Sequence, residues 1–168
     1  MTAYQSAPAW ARFSVQAGAG LGIVALFMSA VFDPTIRVLH FLQAFPYIAV
    51  IVMARKDNAW VLGAGCITAA FWNYTNLFVS DFIMTGVREL SLLLTAGDLR
   101  PGQLAVVAAT GHFLLIAGCL ALFLRLRPGL KRWGQFLAGG VLAVGYLVLI
   151  VFTTGQQFIF ILRQVFHV

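Results

Sequence analysis

Residues 13–32 read FSVQAGAGLGIVALFMSAVF and contain no charged side chain. At about 1.5 Å per residue, a helix of this length spans ~30 Å, the thickness of the hydrocarbon core of a bilayer. Similar apolar stretches follow at about 34–54, 59–79, 103–124 and 134–154. The sequence therefore predicts an all-α, polytopic membrane bundle of about five transmembrane helices, forming a single domain over residues 1–168.

The composition excludes a soluble domain. Of the 168 residues, 61% are hydrophobic and only 10% are charged, whereas soluble domains carry about 25% charged residues. The net charge of +6 does not point to nucleic acid, because the basic residues cluster at the ends of the apolar stretches, where they fix membrane orientation. We therefore expect the lipid bilayer, and no nucleic acid, as a partner.

Residues 82–97 are too short and too polar to span the bilayer. Their apolar side chains share one face of a helix: Ile83, Val87, Leu90 and Leu94. A helix with one apolar face is typical of a segment that lies in the membrane interface. We predict an interfacial helix here, ended by Gly97.

The Lys and Arg residues predict the orientation. In a five-crossing arrangement, seven lie on the side of the N-terminus: Arg12, Arg55, Lys56, Arg125, Arg127, Lys131 and Arg132. Four lie on the other side: Arg37, Arg88, Arg100 and Arg163. Because cytoplasmic loops are enriched in Lys and Arg, we expect a multi-pass protein of the cell membrane with its N-terminus in the cytoplasm and its C-terminus outside.

Two stretches resemble each other: HFLQAFPYIAVIVMARKDNAW from His40 to Trp60, and HFLLIAGCLALFLRLRPGLKRW from His112 to Trp133. One interpretation is a parallel repeat of two helical hairpins, related by an axis along the membrane normal. The alternative is that basic turns followed by an interfacial Trp are common in membrane proteins and match by chance.

Polar side chains concentrate in the half of the bundle away from the basic turns. Such residues in a membrane usually face the bundle interior or a water-filled cavity. The sequence predicts a polar binding cavity formed by His40, Gln43, Asn73, Asn76, Asp81 and His112. The alternative is that these side chains only cross-link helices by hydrogen bonds.

His40 and His112 also suggest a cofactor. Two imidazoles at similar depth on different helices are able to ligate haem b from both faces. A metal ion alone is not expected, because no carboxylate or thiolate lies at their depth. The stronger expectation is that no cofactor is bound.

Charged residues at the rim and glycines within the helices add two further expectations. At the outer end of the bundle lie Asp33, Arg37 and Asp81, where we predict an ion pair between the second crossing and the end of the third. The alternative is a proton or substrate gate. The pairs Gly18/Gly22 and Gly65/Ala69 form small-residue faces, which either pack the bundle or dock a partner.

No nucleophile triad, nucleotide loop or metal motif is present, so we expect a protein without enzymatic activity. The first functional hypothesis is a binding or accessory subunit of a membrane assembly, either a homo-oligomer or bound to a larger membrane protein. The second is a small-solute carrier or channel with a polar site in the outer half of the bilayer. The third is a redox protein holding haem b between His40 and His112.

Overall fold

The computed structural model describes residues 3–98 and 100–155, together with Ile159 and Arg163, and this part of the chain is helical with short turns. A helical turn at Ala3–Ser6 precedes six longer helices. These are α1 (Ala9–Phe32), α2 (Arg37–Met53), α3 (Ala59–Phe78), α4 (Phe82–Ala96), α5 (Pro101–Arg125) and α6 (Leu130–Thr154). Turns of 3₁₀ helix at Pro34–Ile36 and Ala54–Lys56 flank α2.

Four segments of the described chain are long and apolar enough to cross a membrane: Ala9–Phe32, Pro34–Lys56, Pro101–Arg125 and Leu130–Thr154. They support the helical membrane bundle predicted from the sequence. The fifth predicted crossing, α3, is not among them, because its second half carries Asn73 and Asn76 beside two amphipathic aromatic residues, Trp72 and Tyr74. The count of five is therefore not established by helix length and composition.

Local sequence explains where the helices begin and end. Asn58 caps α3, since its side-chain oxygen accepts hydrogen bonds from the backbone N–H groups of Trp60 and Val61 at 3.0 and 3.4 Å. Gly97 ends α4, as predicted, in a left-handed conformation with φ of 67°. Its N–H donates to the carbonyl of Leu93 at 3.0 Å, which satisfies one of the carbonyls left free at a helix end.

Helices α1 and α5 pack with their backbones nearly in contact. A Cβ atom at Gly18 would lie 2.6 Å from the Gly111 carbonyl oxygen, and one at Gly118 would lie 2.8 Å from the backbone nitrogen of Val15. Small residues at these positions allow this approach, which gains van der Waals contact where lipid offers no hydrophobic drive. Gly18 and Gly22 therefore pack within the bundle.

Helices α3 and α6 form a second close seam. Gly63 lies against the carbonyl oxygen of Phe136, and Gly139 lies against that of Trp60. Helix α3 also contacts α2 and α5, and Gly65 faces Val50 and Cys119. The second predicted small-residue face is thus used internally as well.

The two ends of the bundle differ in packing. The larger apolar core includes Leu62, Leu115, Leu122 and Phe123, all at most 2% exposed, and lies toward the end that carries the basic turns. Phe123 packs on the rings of Trp133 and Phe136 with centroids 4.8 and 4.3 Å away. At the other end the described residues form a smaller cluster, from Leu39, Leu147, Ile150 and Val151. This second end, where α1 ends and α2 and α5 begin, is called the cavity end below.

Helix α4 packs across the first turns of α5. Ile83 and Gly86 are buried there, whereas Val87 and Leu94 of the predicted apolar face are 51% and 79% exposed. Gly86 sets this contact because its Cα lies against the carbonyl of Gly102. The side of α4 that faces the protein therefore includes Ile83 but not the rest of the predicted apolar face at Val87 and Leu94.

The α3–α6 seam predicts a sharp difference between two glycine substitutions. Gly63→Ala places a methyl group against the backbone of Phe136, so we expect the free energy of unfolding to fall by about 1–3 kcal/mol. Gly145→Ala meets nothing within 4 Å and is the matched control, expected to be neutral or slightly stabilising. Reversible unfolding in mixed micelles measures both; equal stability of the two variants would contradict the seam.

Candidate functional site

A cavity of about 630 Å³ opens at the cavity end of the bundle. Residues from all six helices contribute to its walls. Apolar and aromatic side chains predominate: Leu26, Phe32, Ile36, Leu39, Phe71, Trp72, Phe82, Leu104 and Val151. Small side chains leave the space that forms the cavity: Gly22 and Ala25 on α1, and Ala105 and Ala108 on α5. The result is an apolar chamber with a limited number of polar groups.

A chain of three buried polar side chains closes the inner end of the cavity. The Tyr47 hydroxyl lies 2.7 Å from Nε2 of His112, and Nδ1 of His112 lies 3.0 Å from Oδ1 of Asn73. Because the amide oxygen only accepts, Nδ1 carries the proton and Nε2 accepts from the tyrosine. The chain therefore links α2, α5 and α3 through one neutral tautomer of His112.

Packing holds this chain in place. The Tyr47 and His112 rings are nearly parallel, with centroids 5.8 Å apart and an angle of 10° between their planes. Gly22 gives the tyrosine ring its space, since a Cβ there would lie 3.0 Å from Cε1 of Tyr47. Asn73 Nδ2 has no hydrogen-bond partner among the described residues, so the amide is positioned for His112 at the cost of one unsatisfied donor.

Two polar residues of α2 line the cavity one turn apart. His40 donates from Nδ1 to the Leu26 carbonyl at 2.9 Å when that nitrogen is protonated, which leaves Nε2 as an acceptor. Gln43 is only 4% exposed, and within the described part of the chain its amide has no hydrogen-bond partner. Gln43 thus offers the cavity both a donor and an acceptor.

Glu89 of α4 reaches the outer part of the cavity. Gln103 fixes the backbone at this residue, because its Nε2 donates to the Glu89 carbonyl at 2.9 Å and to the Asp98 carbonyl at 3.0 Å. Gly102 makes room for the carboxylate, since a Cβ there would collide with Oε2 of Glu89. That oxygen is buried and has no partner among the described residues.

Asp33 lies at the mouth of the cavity. Its Oδ1 accepts hydrogen bonds from the hydroxyl and the N–H of Thr35 at 2.6 and 2.9 Å. These two bonds lower the pKa of the Asp33 carboxyl group, because they favour its charged form. Asp33 is therefore ionised at neutral pH.

The expected rim ion pair does not form. Arg37 donates from Nε to the Ala30 carbonyl at 3.2 Å, which caps the end of α1 instead. Asp81 lies in the turn before α4 with φ of 55°. Within the described ranges the ion pair at this end joins Arg100 and Asp98 at 2.9 Å, two residues that are close in sequence.

The six residues predicted to form the cavity fall into three groups. His40, Gln43, Asn76 and His112 line it. Asn73 lies behind His112 and holds its ring, and Asp81 lies outside the lining. Glu89 and Tyr47, which also line the cavity, were not predicted from the sequence. A signal for Tyr47 was present, because it follows His40 by about two helical turns and so shares its face.

The same geometry bears on haem b. Both histidines line one cavity, but both ring nitrogens of His112 already have partners, Tyr47 and Asn73. Ligation through His112 would displace one of them. Haem at His40 and His112 stays a prediction, which the hydrogen bonds of His112 do not favour.

Comparison of the chain with protein-family models, curated proteins and solved structures finds no match.

The buried chain predicts a cost for Tyr47→Phe. Loss of the hydroxyl leaves Nε2 of His112 without its donor, so the free energy of unfolding should fall by about 1–3 kcal/mol. Tyr74→Phe, on the exposed side of α3, is the control and should change it by less than about 0.5 kcal/mol. Nitrogen-15 NMR of labelled histidine should show His112 protonated at Nδ1. Equal stability of the two variants would argue against the bond.

Proposed function

We propose that this protein binds a small, mostly apolar molecule within the membrane and does so without catalysis. The observation that carries the proposal is the cavity of about 630 Å³ at one end of the bundle. Ligand sites typically measure about 300–1,000 Å³ and combine apolar walls with a few placed polar groups. Gln43, His40 and Glu89 supply such groups here.

The shape of the bundle favours a binding site over a channel. The cavity ends at Tyr47 and His112. Beyond them, Leu115, Leu122 and Phe123 fill the interior with at most 2% exposure. A continuous path would have to pass through this packed core, so the geometry supports a site that opens at one end.

The accessory-subunit hypothesis receives less support. It relied on the small-residue faces as docking surfaces, but Gly18, Gly22 and Gly65 contact other helices of the same chain. Association with a second copy or a larger membrane protein remains a prediction. Many large apolar side chains, such as Val141 and Leu142, are exposed, as expected for surfaces in contact with lipid.

The proposal includes a topology. It counts α3 as a fifth crossing, places the basic turns in the cytoplasm and the cavity toward the outside, and lays α4 in the outer interface. Supporting this, Arg55, Arg125 and Lys131 lie at the end opposite the cavity. The proposal does not depend on the hairpin repeat. The two histidines of that repeat have different surroundings, because His40 bonds a backbone carbonyl whereas His112 bonds two side chains.

The topology predicts opposite labelling of two exposed positions. In Lys56→Cys the thiol should react with a membrane-impermeant maleimide only after the cells are permeabilised, whereas in Thr95→Cys it should react in intact cells. The unchanged protein is the control, because Cys66 and Cys119 are buried. Labelling of both new thiols from the same side would rule out α3 as a crossing helix.

Ligand binding is testable through Trp72, which lines the cavity. A bromophenyl compound quenches tryptophan fluorescence on contact, so 4-(4-bromophenyl)butanol in phosphatidylcholine nanodiscs should quench Trp72 in a saturable way. Partition into lipid should give only a linear component. We expect the saturable part to disappear in Trp72→Phe and in Ala108→Phe, which fills the cavity.

Val141→Phe is the size-matched control for this experiment, because Val141 is 69% exposed on the outer side of α6. In this variant the ligand should quench Trp72 fluorescence with the same saturable component as in the unchanged protein. Circular dichroism of each variant checks that the helices are retained. Linear quenching alone in the unchanged protein, or saturation that survives Ala108→Phe, would overturn the proposed function.

A further inference from the structure

We infer that the ligand of this cavity is an organic cation, a primary ammonium group on an apolar body, and that its nitrogen pairs with Glu89. This inference rests on the proposed function and names its ligand class. The first supporting observation is the charge of the side chains that line the cavity. Asp33 and Glu89 line the cavity, and none of the described lining residues is Lys or Arg.

Three basic residues near this end, Arg37, Arg88 and Arg100, lie outside the cavity lining. Arg37 donates to the Ala30 carbonyl, and Arg100 pairs with Asp98. Arg88 precedes Glu89 in α4 but is exposed on another face of the helix. Both charged side chains that line the cavity are therefore acidic, which favours a cation over a carboxylate.

The Glu89 carboxylate calls for a partner. Its Oε2 is covered by neighbouring atoms, including Gly102, and accepts no hydrogen bond from any described residue. A carboxylate that lines the cavity with so little compensation for its charge is stabilised by a cation bound beside it. Two contacts hold the Glu89 carboxylate at the cavity. Gln103 donates a hydrogen bond to the Glu89 backbone carbonyl, and Gly102, which has no side chain, leaves space for the carboxylate. An ammonium group supplies N–H donors and the opposite charge at once.

The rest of the cavity explains why the cation is organic. From Gly102 to His112 the α5 wall is ten residues long, or ~15 Å along a helix, which is far longer than a metal ion. Leu26, Leu39 and Phe71 provide apolar contact, and the lining also contains the aromatic rings of Trp72 and Phe82, a residue type that favours organic cations. The buried Gln43 amide, unpartnered among the described residues, provides a second polar contact at depth.

Three ligands that differ only in the end group test the inference: 4-(4-bromophenyl)butylamine, the matching butanol and the matching butanoate. Saturable quenching of Trp72 is measured at pH 7 in phosphatidylcholine nanodiscs. We expect the amine to bind at least about ten-fold more tightly than the alcohol, and the carboxylate to bind most weakly.

Glu89→Gln keeps the shape of the side chain and removes its charge. It should abolish the preference for the amine, so that the amine and the alcohol bind with similar affinity. Asp98→Asn is the matched control, because it removes one negative charge at the same end of the bundle but outside the cavity lining. It should retain the preference of the unchanged protein.

Each result is decisive. Preference for the amine in the unchanged protein and in Asp98→Asn, lost in Glu89→Gln, supports the inference. An alcohol that binds as tightly as the amine, or a preference that survives Glu89→Gln, overturns the inference and leaves the proposed function standing. Absence of saturable quenching by all three ligands overturns both.

Discussion

Backbone contact between glycine-bearing helix faces is the constraint on which this structure depends. Gly18 brings α1 against Gly111 of α5, and Gly63 brings α3 against Phe136 of α6. In a membrane this close approach replaces the hydrophobic drive that lipid cannot provide. Beyond this contact, toward the cavity end, α1 and α5 carry further small residues, Ala25 and Ala108, which line the cavity. The same sequence feature therefore closes one end of the bundle and opens the other.

Hydrogen bonds hold the helices where close packing ends. The Tyr47–His112–Asn73 chain ties α2, α5 and α3 together at the inner limit of the cavity. Each of its buried bonds avoids the cost of an unpaired polar group in an apolar interior. By contrast, Gln43 and Glu89 line the cavity, and Oε2 of Glu89 accepts no hydrogen bond from any described residue. This contrast separates side chains that stabilise the bundle from those that are available to a ligand.

Hydropathy and turn residues predicted most of the fold, because helix length in a membrane is set by bilayer thickness. The end of α4 at Gly97 was predictable from local sequence, because glycine readily adopts the left-handed conformation found there. The side-chain partners were not: the sequence suggested Arg37 as an ion-pair partner, but the free carbonyl of Ala30 takes it. Glu89 was not predicted, because the contact of Gly86 with Gly102 turns Glu89 toward the protein, whereas Val87 and Leu94 of the predicted apolar face are exposed.

The attachment of α4 has a consequence for how a molecule enters and leaves. Gly86 lies on Gly102, and Gln103 holds the Glu89 carbonyl, so α4 and the first turn of α5 form one unit. Across the cavity, Phe32, Asp33 and Ile36 face this unit from the turn between α1 and α2. No comparable bond joins the two sides within the described residues. Separating these two sides would break no hydrogen bond between described residues, so for the ligand site proposed above this gap is the expected route of entry and exit.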